Sequence, residues 1–306
     1  MSIGVDVCTD GTVGRLSWEL LAPFGVRLHV DDLRAGLAQD EQDVLATLLY
    51  QHGFVVAADQ QLTKADLRRV GSYVAPLLPE EHEANPVLAL NREEGGFGTR
   101  ELVFHRDLMY AEHPFHAIAL HALSVAEGET STFVSSGTLA YRRLPAELKD
   151  RLAGLSALNS LHGRDEEGRI SEREVYLPGW PGYVHPLAAR HPITDEPVLL
   201  ACLMSTVRVE GLAADSSEEL LQQLFGHLND PANVYEHTWR ENDLLIWDNF
   251  GCAHARRNLA GVSKRTLQRL TMGKLSFPLA YPNFSMRSFT DSYDGENYMG
   301  KGGGQF

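Results

Sequence analysis

Helical and extended stretches do not alternate along this chain, and that order is the tightest constraint on what it can fold into. Short apolar runs rich in β-branched and aromatic residues read as strands at 54–58 (FVVAA), 102–105, 116–123, 198–204, 244–247 and 265–274. Helical spacing is confined to a few places. Residues 40–52 set Val44, Leu45, Leu48 and Leu49 on one face, and Gly53 follows as a C-cap. Residues 63–75 open with Thr63 as N-cap and Asp66 in the first turn, near the helix's positive end. The stretch 136–151 can line up Tyr141, Leu144 and Leu148 with Leu152, and Pro145 should break it, sitting in the first turn of a second short helix. A further helix is expected over 217–228. A doubly wound parallel sheet needs a helix between successive strands, and this order does not supply it. The expected fold is mainly β (α+β), an antiparallel sandwich or jelly roll with helices packed outside.

No internal repeat or low-complexity linker divides the 306 residues, so one domain over 1–306 is expected. The charged, aperiodic stretch at 163–175 reads as an exposed lid loop, and the glycine-rich 294–306 as a surface tail. A net charge of −14 argues against a nucleic-acid backbone or an anionic membrane as partner. No apolar run approaches the roughly 18 residues of a membrane span. The N-terminus lacks the basic, apolar, small-residue order of a secretory signal, which makes the cytoplasm the expected compartment. Cys8, Cys202 and Cys252 form no CxxC pair and read as reduced thiols.

The chemistry concentrates in two places. His105-Arg106-Asp107 ends a predicted strand, where residues two apart point to the same face, so His105 and Asp107 can reach one ion while Arg106 points away. His254 is the best third ligand, since it follows a strand ending in the polar corner Trp247-Asp248-Asn249. Two imidazoles and a carboxylate on one face of an octahedral ion make the facial triad of non-haem Fe(II) oxygenases. An HxD on its own is more often a surface or hydrogen-bonding pair than a metal site. The kinase reading of HRD fails, because no glycine-rich loop, DFG or correctly spaced Asn accompanies it. Beyond His254, Arg265 and Arg269 share a strand face with Leu267 and can turn toward the metal. Two arginines inside a β fold need anions, and a dicarboxylic co-substrate would suit arginine's planar fork. The competing reading is an exposed strand with both guanidinium groups solvated.

With these residues in view, the sequence resembles the TauD/TfdA family of Fe(II)/2-oxoglutarate dioxygenases over nearly its whole length. The resemblance rests on YQHGFVVAADQQLTKADL near the start, FHRD, EGETSTFVSSGTLAYRRLP, and above all WRENDLLIWDNFGCAHARRNLAGVSKRTLQR. The last block fixes a histidine, a strand and an arginine eleven residues beyond that histidine in one register. The resemblance implies a double-stranded β-helix (jelly roll) with flanking helices. It implies Fe(II) on His105, Asp107 and His254, and 2-oxoglutarate held by Arg265 with help from the Thr132 hydroxyl. Arg269 would support the inner end of the co-substrate or bind an anionic group of the substrate. With O2 as second co-substrate, 2-oxoglutarate would be decarboxylated to succinate and CO2 as a substrate C–H is oxidised. Relatives are commonly dimers or tetramers, so a homo-oligomer fits the resemblance. Asp107 occupies the position where related halogenases carry a small residue, so hydroxylation or desaturation is favoured.

The sequence departs from the family where substrate is bound. Residues 71–87 lack a histidine-rich sulfonate segment, and Phe104 stands where Trp is usual, which makes Phe104 a candidate substrate contact. A small carboxylate- or amino-acid-like substrate of biosynthetic metabolism is therefore expected in place of taurine. Two alternatives share the page: the same scaffold catalysing an oxidative rearrangement such as isonitrile formation, and a non-oxidative metal-binding jelly-roll protein in which Arg265 meets no co-substrate.

Overall fold

The fold is seen in a computed structural model that describes residues 7–80, 87–89, 99, 101–161, 163 and 179–284. The expected lid at 163–175, apart from Gly163, and the tail at 294–306 lie outside the described residues. The first part runs β1 (Gly11–Val13), β2 (Leu16–Leu20), β3 (Val26–His29), α1 (Gln39–His52), β4 (Phe54–Ala57) and α2 (Lys64–Ser72). Next come β5 (Val87–Ala89), β6 (Leu102–His105), β7 (Ala117–Val125), β8 (Ser131–Ser136), α3 (Gly137–Arg143), α4 (Ala146–Leu152) and β9 (Ser156–Ser160). Then follow β10 (Gly182–Pro186), β11 (Ala188–Arg190), β12 (Pro197–Leu199), β13 (Thr206–Val209) and α5 (Ala214–Leu228). The last are β14 (Val234–Thr238), β15 (Leu244–Asp248), β16 (Cys252–Arg256), β17 (Arg265–Met272) and α6 (Phe277–Ala280).

Two sheets make the jelly roll. The larger has the order β1-β2-β3-β4-β15-β7-β17-β5 and the smaller β14-β8-β16-β6. All pairs are antiparallel except β3 with β4. Strand alternation splits the larger sheet between two cores. Leu244, Ile246, Ala117, Ala119, Leu270 and Met272 face α1 and α2 on the outside. Leu245, Trp247, Ile118, Leu120 and Leu267 face inward, where they meet Val134 and Cys252 of the smaller sheet. These strands are apolar on both faces because both faces are covered, which is why they read as apolar runs rather than as an alternation. Helices α3–α5 bury Ala140, Leu144, Leu152, Leu220 and Leu224 in a third cluster, against β9 and β13.

Local sequence explains most boundaries. Thr63 caps α2 as expected: its hydroxyl accepts from the Asp66 N–H (3.2 Å) and Asp66 accepts from the Thr63 N–H (3.1 Å), a reciprocal cap worth about 1 kcal/mol. Gly53 ends α1 with φ 86°, and a Cβ there would lie 2.9 Å from the Cys252 Sγ. Four expectations need correction. Helix α2 ends at Ser72 and not at residue 75, since Tyr73, Val74 and Ala75 make turn-type bonds to Val70 and Gly71 carbonyls. Pro145 is the N-cap of α4, one position before its first turn. The expected strand 198–204 is extended only at Val198 and Leu199, the end of β12; a turn follows in which the Ser205 and Thr206 N–H groups both donate to the Cys202 carbonyl, and β13 begins only at Thr206. Finally β8, β14 and β16 are strands where none was expected, and they make up three of the four strands of the smaller sheet. Among the described residues no helix is long and apolar enough to cross a membrane.

Candidate metal centre

His105 is the last residue of β6, and His254 is the middle residue of β16. The two are direct partners across the antiparallel ladder, so their side chains leave the sheet side by side on one face. Their ring centroids lie 4.1 Å apart. Asp107, two residues beyond His105, joins them, with its Oδ1 3.6 Å from His105 Nε2. Ligand-capable atoms of His105, Asp107 and His254 all lie within 4.8 Å of one another.

Each donor is held by neighbours. His105 Nδ1–H donates to the Val103 carbonyl at 2.8 Å, which leaves the Nε2 lone pair facing Asp107. Asn249, fully buried, clips the Asp107 backbone on both sides. Its Oδ1 accepts from the Asp107 N–H (3.0 Å), and its Nδ2 donates to the carbonyls of Asp107 (2.9 Å) and Phe115 (3.1 Å). Asp248 fixes the corner that carries Asn249. Its carboxylate accepts from the N–H groups of Phe250 and Gly251 at 3.0 Å each and from His191 Nε2 at 2.9 Å. The His191 Nδ1 accepts from the Ile193 and Thr194 N–H groups, which sets the tautomer. A side chain at Gly251 would collide with that carboxylate.

The electrostatics suit a cation. Burial pushes His254 well below the ordinary imidazole range, with His105 adding to the effect, and burial likewise lowers His105 against the pull of Asp107. Burial alone would raise Asp107, but the Arg269 guanidinium, through its charge and its hydrogen bond, leads the interactions that outweigh it and hold the carboxyl at about 2. Two neutral imidazoles beside an ionised carboxylate are the protonation state a divalent metal requires.

The remaining candidates are spread differently than the sequence suggested. Arg269 forms an ion pair with Asp107 Oδ2. Arg265 is 4% exposed, and its Nε has no hydrogen-bond partner among the described residues. Burial first, then the charge of the nearby Arg256, lowers its pKa to about 9. The solvated-strand reading of Arg265 is thereby excluded. Thr132 is buried on β8, where its hydroxyl accepts from Trp239 Nε1 at 3.0 Å and keeps its own proton to donate. Phe104 directly precedes His105 on β6, where its backbone carbonyl accepts from the Cys202 Sγ at 3.7 Å. Arg106 donates to the carbonyls of Phe250 (3.1 Å), Ala201 (2.5 Å) and Leu199 (3.2 Å). A separate cleft of about 1000 Å³ opens beside β3, β4 and β14, lined by Tyr235, His237 and Asp243 among others; none of the triad lines it.

The profile of the family described as "Taurine catabolism dioxygenase TauD, TfdA family" matches residues 19–271, a span that runs from β2 to β17 and holds every residue of this centre. The chain belongs to the TauD/TfdA family. It is 29% identical to pentalenolactone F synthase of Streptomyces avermitilis over 199 residues, which is 60% of this chain and 65% of that protein. It is 27% identical to the alpha-ketoglutarate-dependent 2,4-dichlorophenoxyacetate dioxygenase of Burkholderia sp. strain RASC over 170 residues, 55% of this chain and 57% of the relative. The chain thus spans less than two thirds of either relative's length. Among solved structures, a taurine dioxygenase from Burkholderia xenovorans superposes with TM-score 0.70 at 22% identity, over 86% of this chain and 90% of that one. That likeness bears on the fold, a jelly roll with flanking helices.

From the sequence of this TauD/TfdA member no role was expected for Asn249, Asp248, Trp239 or Arg106, and His191 was expected only in hydrogen bonding or substrate contact, without a partner. The signal for the first two was present, since a polar Asp-Asn pair closing the apolar run LLIW is out of place unless buried partners await it. For His191, which lies 57 residues from its partner, no local signal exists.

Proposed function

We propose that the protein is an Fe(II)- and 2-oxoglutarate-dependent oxygenase acting with O2 on a small molecule, with hydroxylation or desaturation of an unactivated C–H as the outcome. The observation that carries this reading is the joint presence of a half-buried His-Asp-His triad and a buried arginine whose Nε has no hydrogen-bond partner among the described residues. A guanidinium removed from water without an anion is costly, and a dicarboxylate meets that need. Fe(II) with 2-oxoglutarate and O2 supplies the oxidising power when bound, with succinate and CO2 as co-products.

The chain's own part is placement and dryness. His105, Asp107 and His254 would hold the metal on one face and leave the rest of its coordination to co-substrates. Arg265 would take the distal carboxylate of 2-oxoglutarate, and the Thr132 hydroxyl, steadied by Trp239, would add a hydrogen bond. Arg269 keeps Asp107 ionised and aimed, which favours a supporting role for it over direct binding of a substrate anion. Trp247, 1% exposed, packs its ring 4.7 Å from that of His254 and shields the site from water.

Anaerobic addition of Fe(II) and 2-oxoglutarate should produce a weak visible charge-transfer band. Arg265→Met should abolish 2-oxoglutarate binding by calorimetry on the metal-loaded protein while metal binding persists. No band, or unchanged 2-oxoglutarate affinity in Arg265→Met, would rule the reading out. Product mass then separates gain of an oxygen atom from loss of two hydrogens.

A further inference from the structure

One cluster of side chains beside the triad has no part in holding metal or co-substrate. The chain leaves Asp107 through Leu108, whose φ of 59° is a left-handed conformation that a leucine adopts only where its surroundings impose it. The resulting turn carries Tyr110 back beside the site. Its phenol is near enough to Asp107 and Arg269 to feel both charges, and its hydroxyl makes no hydrogen bond to a described residue. Against the Tyr110 ring lie Phe277 (centroids 6.1 Å, near edge-on) and Tyr281 (6.2 Å). Phe277 also meets Tyr281 at 5.5 Å and Phe284 at 5.9 Å, and Trp180 stands edge-on to Phe284 at 5.4 Å. The Tyr281 hydroxyl donates to the Tyr110 carbonyl and ties the end of α6 to the chain next to Asp107.

The degree of burial distinguishes these rings from packing residues. The core rings Phe54, Trp239 and Trp247 are at most 1% exposed, whereas Tyr110, Phe277, Tyr281 and Phe284 are only half-buried. Tyr110, Phe277 and Tyr281 abut the inward-facing core of the two sheets, whose Trp247 packs against His254. Half-buried aromatic faces in contact with one another form an apolar wall with surface still to cover. Among the described residues, Arg269 pairs with Asp107 and Arg106 donates to three carbonyls, Arg265 is turned to the co-substrate in the reading above, and the charge of Arg256 acts on Arg265.

We propose that Tyr110, Phe277 and Tyr281 form the primary-substrate wall, and that the substrate presents an apolar ring, with one polar substituent meeting the Tyr110 hydroxyl. This rests on the oxygenase reading and adds an apolar ring to the substrate expected from sequence. The ring packs on the aromatic faces, and the Tyr110 hydrogen bond fixes its rotation relative to the metal.

The test uses the full chain, anaerobic, with Fe(II) and 2-oxoglutarate. Formation of the charge-transfer band reports the underlying reading independently; if the band does not form, that reading fails before this one is addressed. On the banded complex, three neutral ring ketones (camphor, β-ionone and 2-acetylnaphthalene) and taurine are titrated, with band perturbation and tryptophan quenching as readouts. At least one ketone should saturate and taurine should not. Phe277→Ala should weaken the ketone about tenfold and Tyr110→Phe about threefold to fivefold, with 2-oxoglutarate affinity held within about twofold of the parent. Phe277→Leu, which keeps an apolar side chain, should restore part of the affinity and guards against a folding defect. Saturable taurine binding without ketone binding, no ketone binding on the banded complex, or parental ketone affinity in Phe277→Ala each overturns the proposal.

Discussion

Replacing Asn249 with alanine separates a residue that merely packs from one that positions a metal ligand. The side chain is fully buried and satisfies three groups: the Asp107 N–H and the carbonyls of Asp107 and Phe115. Alanine leaves all three without partners in a dry interior. At about 1 kcal/mol for each stranded group, the loss is about 3 kcal/mol. Unfolding entropy of roughly 2.1 cal/mol/K per residue over 306 residues is about 0.64 kcal/mol/K, so Tm should fall by about 5 °C. Packing alone predicts that much. Positioning predicts something further, because Asn249 is what fixes the peptide on which Asp107 is mounted. Loss of such a partner should weaken metal binding by about 10- to 100-fold. The assay is anaerobic Fe(II) affinity by chelator competition, run beside thermal unfolding of the metal-free and metal-loaded protein. The metal-loaded form should lose more stability than the metal-free form. A normal drop in Tm with Fe(II) affinity within about twofold of the parent would refute the positioning argument. Asn249→Asp is the control: it keeps an acceptor for the Asp107 N–H but sets a carboxylate oxygen against two carbonyls, and should bind metal no better than the alanine variant.

Other outcomes follow from the same geometry. Asp248→Ala strands the N–H groups of Phe250, Gly251 and His191 Nε2 and should cost about 3 kcal/mol or more by urea unfolding; a midpoint equal to the parent's would contradict the buried network. Arg106→Met removes donors from three carbonyls and should destabilise by a few kcal/mol, with 2-oxoglutarate affinity per folded molecule unchanged; a selective loss of that affinity would mean Arg106 reaches the site. His52, His121 and His185 all have pKa values lowered by burial. The unfolded chain therefore binds protons near pH 6.5 that the folded chain refuses, so stability is full above that pH and falls below it. Urea midpoints should decline from about pH 7.5 to about pH 5.5, by up to roughly 1.4 kcal/mol per pH unit for each histidine; a flat or rising trend speaks against buried neutral imidazoles. Thr132→Val, which keeps the shape and removes the acceptor of Trp239 Nε1, should weaken 2-oxoglutarate several-fold by calorimetry; unchanged affinity would assign Thr132 to packing alone.

The sequence by itself determined whatever depends on neighbours a few residues apart. The HxD spacing put His105 and Asp107 on one face, because side chains alternate along a strand whatever lies around it. The Thr63 cap, the Gly53 stop and the helix over 40–52 were legible for the same reason: their partners lie within one or two turns. The missed strands β8, β14 and β16 show where that reading ends. Their sequences, STFVSS, VYEHT and CAHAR, carry polar side chains on the inward face, since that face is the site and not an ordinary core. A pattern-based reading takes such segments for loops.

Only the tertiary structure decided the rest. It paired His254 with His105 across a ladder spanning about 150 residues of chain, gave Arg269 to Asp107, and left the Nε of Arg265 buried without a hydrogen-bond partner among the described residues. It also gathered Tyr110 with Phe277 and Tyr281. Each of these is a long-range contact fixed by which strands lie side by side and which core each face meets. Hydrophobic burial over the whole sheet sets that pairing, and no local run of residues records it.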